Sequence, residues 1–262
     1  MTAPATPRKR IAVITGASSG MGREFALALD REETFDELWL IARRLERLEA
    51  IATETRAPVR PIALDLGSMA DISRYKDLLV AENPDVAVLV NAAGFGKFGA
   101  FEDIPLEDQL AMLDLNNKAL IAMTYHTLPY MQAGGRIFQL GSLSSFQPVP
   151  YINTYGASKA FVLSFSRALN KEMKTKKRGI RVMAVSPGWV RTEFFDRAVH
   201  DDTITYYNRY FTSEQVIRRA MRDMKKGKDV SICGPTIRAQ VRVTKIFPHR
   251  LVMAIWCKQQ KK

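Results

Sequence analysis

The 262-residue chain is poor in metal-ligating residues, with two cysteines and three histidines. Cys233 and Cys257 lack metal-ligand spacing and fit a reducing compartment as small apolar residues. His126, His200 and His249 are dispersed and read as structural or surface side chains. No metal site is expected. Long apolar runs are missing too. Leu251 to Cys257, the longest late run, is far too short to span a bilayer. Met1 to Arg10 carries prolines and basic residues but no apolar stretch, so no signal peptide is expected. There is no internal repeat and no low-complexity linker. These absences point to a soluble cytoplasmic protein.

The composition is otherwise ordinary for a globular chain, 47% hydrophobic and 25% charged, with enough length for a large core. The net charge of +12 is unevenly placed. Residues 171–262 hold 22 Lys+Arg against 8 Asp+Glu, whereas residues 1–170 hold 17 against 19. A solvated basic surface is the plain reading of the last third. An anionic substrate, an anionic membrane surface or nucleic acid are the sharper ones.

Six short apolar runs punctuate the chain: Ile11 to Ile14, Leu38 to Ile41, Ile62 to Leu64, Val86 to Val90, Ile137 to Leu140 and Ile180 to Val185. Helix-like segments lie between them, at Gly22 to Leu29, Leu45 to Thr53, Met69 to Glu82, Leu106 to Gln132 and Thr154 to Lys174. Pro129 is expected to close or kink the fourth. Continuous apolar strands alternating with helices predict the α/β class. The expected architecture is one doubly wound Rossmann domain over 1–262, a parallel sheet with helices on both faces.

Thr15 to Gly22 follows the first run and opens the first helix. Glycines at 16, 20 and 22 permit a tight turn and close backbone approach. The helix N-terminus then offers free N–H groups to a pyrophosphate. NAD-specific folds place an acid at the end of the second strand, for the ribose 2′-hydroxyl. Here the stretch reads Ile41-Ala42-Arg43-Arg44. A guanidinium suits a 2′-phosphate, so NADP(H) is favoured, with Arg43 the better candidate and Arg44 beside it.

Tyr155 and Lys159 stand four residues apart, on one face of the expected helix. A phenol alone has a pKa of about 10 and is a poor acid at neutral pH. A neighbouring ammonium favours the phenolate and is expected to lower that value. The pair is then a candidate proton donor and acceptor near pH 7. Chance supplies many such pairs on solvated helices, so the rest of the sequence decides.

Together these residues resemble the short-chain dehydrogenase/reductase family over roughly residues 9–192. Thr15 to Gly22 resembles its cofactor loop, which implies nucleotide contacts from Gly16, Ser18, Ser19, Gly20, Met21 and Gly22. Asp65, followed by Leu66, resembles the aspartate that contacts adenine. Asn91-Ala92-Ala93-Gly94 is similar to the family's Asn-Asn-Ala-Gly segment, with Ala92 in place of the second asparagine, which implies cofactor contacts from these four residues. Asn116 resembles the asparagine of the catalytic tetrad, and Asn117 is adjacent. Ser142 lies thirteen residues before Tyr155, the separation usual in the family, with Ser144 and Ser145 nearby. Ser186 to Thr192 resembles the loop that holds nicotinamide, which implies contacts from Pro187, Gly188, Val190 and Thr192.

The resemblance implies a mechanism. Ser142 binds the substrate oxygen. Tyr155 exchanges a proton with it, and hydride moves between nicotinamide and the substrate carbon. Lys159 holds the nicotinamide ribose and tunes Tyr155, and Asn116 anchors a water that relays protons to Lys159.

After Thr192 this pattern fades. Residues 193–230 are read as a substrate lid and following helix, and 231–262 as a basic amphipathic C-terminal extension. Phe194, Phe195, Tyr206, Tyr207, Tyr210 and Phe211 suggest an apolar or bulky substrate, steroid-like or acyl; simple packing of an irregular segment is the alternative. Ser213 is expected to cap a helix through Lys226. The extension docks on the domain or on a second subunit, or touches a membrane peripherally. The expected protein interconverts a ketone or aldehyde and an alcohol, and forms dimers or tetramers. A non-catalytic NADP-binding sensor is the alternative, although it would need no proton relay. Nucleic-acid binding is not favoured as the main function.

Overall fold

The computed structural model describes residues 7–198, 204 and 209–262. His200, Tyr206 and Tyr207 lie outside them. Strands β1 (Arg10–Thr15), β2 (Glu37–Ala42), β3 (Val59–Ala63), β4 (Asp85–Asn91), β5 (Arg136–Leu140) and β6 (Arg181–Val185) coincide with the six apolar runs, β3 beginning three residues early. The short strand β7 (Trp189–Val190) pairs with β8 (Tyr210–Phe211). A further strand, β9 (Val230–Ser231), adds a seventh member to the main sheet. It escapes sequence reading because two residues carry no periodicity. The sheet is parallel throughout, in the order β3-β2-β1-β4-β5-β6-β9.

Apolar side chains fill both faces of the sheet. On one, Ile14, Leu40, Val90 and Phe138 pack with Phe25 of α1 (Gly20–Glu32), Leu48 of α2 (Leu45–Ile51) and Ile217 of α8 (Ser213–Lys225). On the other, Val13, Trp39, Leu89 and Ile137 pack with Tyr75 of α3 (Met69–Glu82), Met123 of α5 (Ala119–Thr127) and Met173 of α6 (Asn153–Thr175). Strands wetted on neither side explain the continuous apolar runs.

The helix expected over Leu106 to Gln132 is divided. α4 (Leu106–Leu113) passes through a wide π turn, Asp114–Lys118, into α5. The extra residue in that turn rotates the following side chains, and Asn116 is buried there. Pro129 sits in a 3₁₀ turn, Leu128–Tyr130, that closes the segment. The cap of α8 also differs from expectation. Thr212 caps it, accepting from the Gln215 N–H at 3.2 Å while Gln215 Oε1 accepts from the Thr212 N–H at 3.2 Å. Ser213 is instead the first helical residue, because Val216 three positions on has no acceptor to complete a capping box. The short α7 (Phe194–Ala198) precedes this region, and α9 (Pro235–Thr244) and α10 (His249–Gln259) end the chain.

Candidate active site

The strand order reverses between β1 and β4, and a crevice opens at their carboxyl ends. A cleft of about 480 Å³ occupies it. The glycine loop forms its floor. Gly16 and Gly20 hold φ of +66° and +54°, which favours glycine. A Cβ on Gly22 would lie 2.2 Å from the Gly16 carbonyl oxygen. Only a loop stripped of side chains there brings the α1 N-terminus up to the cleft. Thr15 Oγ1 accepts from the N–H groups of Ala92 and Ala93 at 3.0 and 3.1 Å, tying β1 to the loop after β4.

Gly16, Ser18, Ser19, Gly20, Met21 and Gly22 all line this cleft. Arg43, Arg44, Asp65, Leu66, Ala92, Ala93, Gly94 and Thr192 complete its walls. An extended dinucleotide fits such a trough, with N–H donors at the α1 end and guanidiniums at the β2 end. Arg43 is exposed, and among the described residues it has no hydrogen bond or ion pair. Arg44 is engaged: its Nη2 reaches Ser18 Oγ at 3.3 Å and Glu193 at 3.4 Å. Arg47 holds the same carboxylate at 2.7 Å.

Asn91 is a correction to expectation, because it does not line the cleft. Its Nδ2 donates to Thr124 Oγ1 at 3.1 Å and Gln139 Oε1 at 2.8 Å, joining β4, β5 and α5 in the core. It is the last residue of its strand, and the alternation of side chains turns it into the core beside Gln139.

A second cavity, of about 150 Å³, adjoins the first. Met21, Ala92, Gly94, Thr192 and Phe194 border both. Ser142, Tyr155 and Lys159 meet in it, with Pro187, Gly188 and Val190 on the facing loop. Tyr155 and Lys159 sit in the first two turns of α6. Ser142 caps the short turn after β5, accepting from the Ser144 N–H at 3.2 Å. Ser145 belongs to the scaffold. Its Oγ accepts from the Ser142 N–H at 3.2 Å and donates to the Lys159 carbonyl at 2.8 Å. Ser144 Oγ lines the pocket edge and has no hydrogen-bond partner among the described residues.

The electrostatics depart from the sequence expectation. Burial pushes the Tyr155 phenol up to about 12, and a hydrogen bond with Ser142 opposes this. Burial pushes the Lys159 ammonium down to about 8. Burial outweighs whatever Lys159 gives the phenolate, since its Nζ points to the Leu140 carbonyl at 2.8 Å and lies 5.7 Å from the Tyr155 ring centroid. Asn116 takes a bracing position. It accepts from the Phe95 N–H at 3.0 Å, and its Nδ2 donates to the Phe95 carbonyl at 2.9 Å and Ser158 Oγ at 3.1 Å. A Cβ on Gly94 would stand 2.6 Å from Asn116 Oδ1 and 3.5 Å from Lys159 Nζ, so the three groups converge. Asn117 points elsewhere, donating to the Ser158 carbonyl at 2.8 Å.

The sequence profile of the short chain dehydrogenase family matches residues 10–203. The chain belongs to that family. An NADP-dependent 3-hydroxy acid dehydrogenase of Schizosaccharomyces pombe is 33% identical over 210 residues, 77% of this chain and 80% of its own length. Among solved structures, a short-chain dehydrogenase from Sphingobium yanoikuyae in complex with NADPH is 30% identical, with TM-score 0.74 and 87% of each chain covered. A bulky-bulky ketone specific alcohol dehydrogenase from Comamonas testosteroni is 26% identical, with TM-score 0.69, covering 87% of this chain and 86% of its own.

This short-chain dehydrogenase also recruits residues that sequence reading passed over. Phe98 stands 5.6 Å from the Tyr155 ring and 6.2 Å from Trp189. Phe194, already among the aromatics expected at the substrate, stands 5.6 Å from Tyr155. Gln240, Trp256 and Gln259 reach the same pocket from the C-terminal helices. The Trp256 indole donates to the Pro150 carbonyl at 3.0 Å. A lone tryptophan in a basic tail was the one available signal.

Proposed function

We propose that this short-chain dehydrogenase is an NADP(H)-dependent carbonyl reductase or alcohol dehydrogenase with Tyr155 as its general acid and base. One observation carries the reading: Ser142, Tyr155 and Lys159 meet where a nucleotide cleft adjoins an apolar pocket. When bound, the dinucleotide supplies or accepts the hydride. Everything else falls to the chain. The buried Tyr155 stays protonated at neutral pH and donates to the substrate oxygen during reduction. Ser142 hydrogen-bonds the same oxygen. Lys159, still charged at pH 7, offsets the phenolate left behind. Asn116 holds the Phe95 backbone and anchors the path by which the proton is replaced.

Arg43 is the partner for the 2′-phosphate, and Arg44 flanks it. The NADP dependence of one relative and the NADPH complex of another support this choice. Phe98, Trp189, Phe194 and Trp256 favour a bulky apolar ketone or alcohol, with residues 193–230 as the substrate lid and the helix that follows it. The Comamonas relative, specific for bulky-bulky ketones, supports that class. Exposed Leu110, Ile121 and Phe161 on α4, α5 and α6 support self-association.

The test is NADPH consumption against ketosteroids, 3-ketoacyl thioesters, quinones and small ketones, with Tyr155→Phe alongside. Oxidation of NADPH by a bulky ketone, lost in the variant, is expected. Tight NADPH binding without turnover on any carbonyl would favour a sensor and overturn the reading.

A further inference from the structure

We infer that the α9–α10 segment is a docking surface for an anionic lipid bilayer, seating the mouth of the substrate pocket on the membrane. No catalytic side chain belongs to this surface, so it stands apart from the reaction proposed above. Two independent features of the segment lead to it.

The first is charge. After Asp229 the chain contains seven Lys or Arg and no Asp or Glu. Arg238, Arg242, Lys245, Arg250, Lys258, Lys261 and Lys262 make no ion pair among the described residues, although acids elsewhere pair widely. Lys245 and Lys262 instead lie over the rings of Phe146 and Tyr151.

The second is where the apolar residues point. A helix at a water-facing surface hides its large apolar side chains. Here Ile246 is 79% exposed and Phe247 51% exposed, at the tip between the two helices. On α10, Leu251, Ala254, Ile255 and Lys258 form one exposed stripe, and Ile255 is 60% exposed. Val252, Met253, Trp256 and Cys257 face the protein instead. The Trp256–Pro150 hydrogen bond fixes which face is which.

Exposed apolar groups set among cations are what an interfacial helix presents to acidic headgroups and the acyl boundary. A second copy is a poor occupant, since two faces of one charge sign repel. Nucleic acid uses the cations but gains nothing from Ile246 and Phe247. Gln240, Trp256 and Gln259 line the pocket from this same segment. Docking therefore brings the pocket mouth to the lipid, where a bulky apolar substrate dissolves.

The experiment is co-sedimentation of the full chain with phosphatidylcholine vesicles, with and without phosphatidylglycerol, at low and high salt. Binding is expected only with phosphatidylglycerol, weakened by salt. Arg250→Gln with Lys258→Gln should reduce it by about 30-fold, at about 1 kcal/mol per cation. Ile246→Glu with Phe247→Glu should abolish it. NADPH binding and thermal melting of that variant should stay unchanged, which separates lost docking from lost folding. Absence of vesicle binding, or binding indifferent to Ile246→Glu with Phe247→Glu, overturns the inference. So does a change of oligomeric state in that variant, or selective binding to a DNA duplex. Vesicle binding without carbonyl reduction would sink the proposed reaction and leave the docking surface intact.

Discussion

The Lys159 Nζ donates a 2.8 Å hydrogen bond to the carbonyl of Leu140, the last residue of β5. The Lys159 carbonyl in turn accepts from Ser145 Oγ at 2.8 Å. Both ends of this one residue are thus tied to the segment that carries Ser142. Tyr155, one helical turn earlier, is held beside Ser142 as a consequence.

Tyr155→Phe keeps the packing against Phe98 and Phe194 but removes the acidic proton. Turnover with a ketone should fall by about 10²–10⁴-fold, in line with the loss of one general acid. NADPH affinity, measured by fluorescence, should hardly change. Near-normal turnover would falsify the assignment of the proton donor.

Lys159 is buried, and its ammonium is pushed down to about 8. Reductase kcat/KM should therefore be level from pH 6 to 7 and decline as pH rises through 8, as the stabilising charge is lost. Stability moves the other way. The unfolded lysine titrates near 10.5, so between pH 8 and 10.5 the unfolded chain binds more protons. This group's contribution to stability rises over that window. Chemical denaturation of the native chain against Lys159→Met would isolate it.

Arg43→Ala should weaken NADPH by about tenfold, the worth of one charge-assisted bond to phosphate. NADH binding should stay constant. Titration calorimetry with both nucleotides checks the difference, and a parallel loss of both would refute the 2′-phosphate role.

Asp223 is buried at the junction of α8 and β9. It accepts from Arg219 at 2.7 Å and Ser231 at 2.9 Å, and pairs with Lys228 at 2.9 Å. Burial raises its carboxyl, but the bonds from Lys228, Arg219 and Ser231 outweigh this and hold it below 3.8. That stability is present at neutral pH and is lost as pH falls through the depressed value. Asp223→Asn should cost roughly 1–3 kcal/mol at pH 7. The penalty should shrink in acid, as read by urea denaturation at pH 7 and pH 3.

Much of this was legible before any coordinates. Ile11 to Ile14 and Val86 to Val90 announce buried parallel strands because wet faces are absent, so every position is apolar. Gly16, Gly20 and Gly22 announce the cleft because the first two hold positive φ and a Cβ on the third would meet the Gly16 carbonyl. The short β9 and the π turn at Asp114–Lys118 were not legible. Both depend on neighbours across the fold and not on local pattern. Asn91 looked like part of the nucleotide site because it sits within a motif, yet its strand register turns it into the core.

The sequence by itself determined the chemistry on offer: a phenol and an ammonium one helical turn apart, a serine before them, a glycine loop and two arginines. Local spacing suffices for that, since helices and tight turns are made by neighbours in the chain. Only the tertiary structure decided how those groups behave. Burial turned the Tyr155 value upward and the Lys159 value downward, which no motif states. Long-range packing also brought Trp256 to Pro150 across the pocket while leaving Ile246 and Ile255 facing outward. Desolvation and exposure are properties of the folded surroundings, so they appear only when distant segments meet.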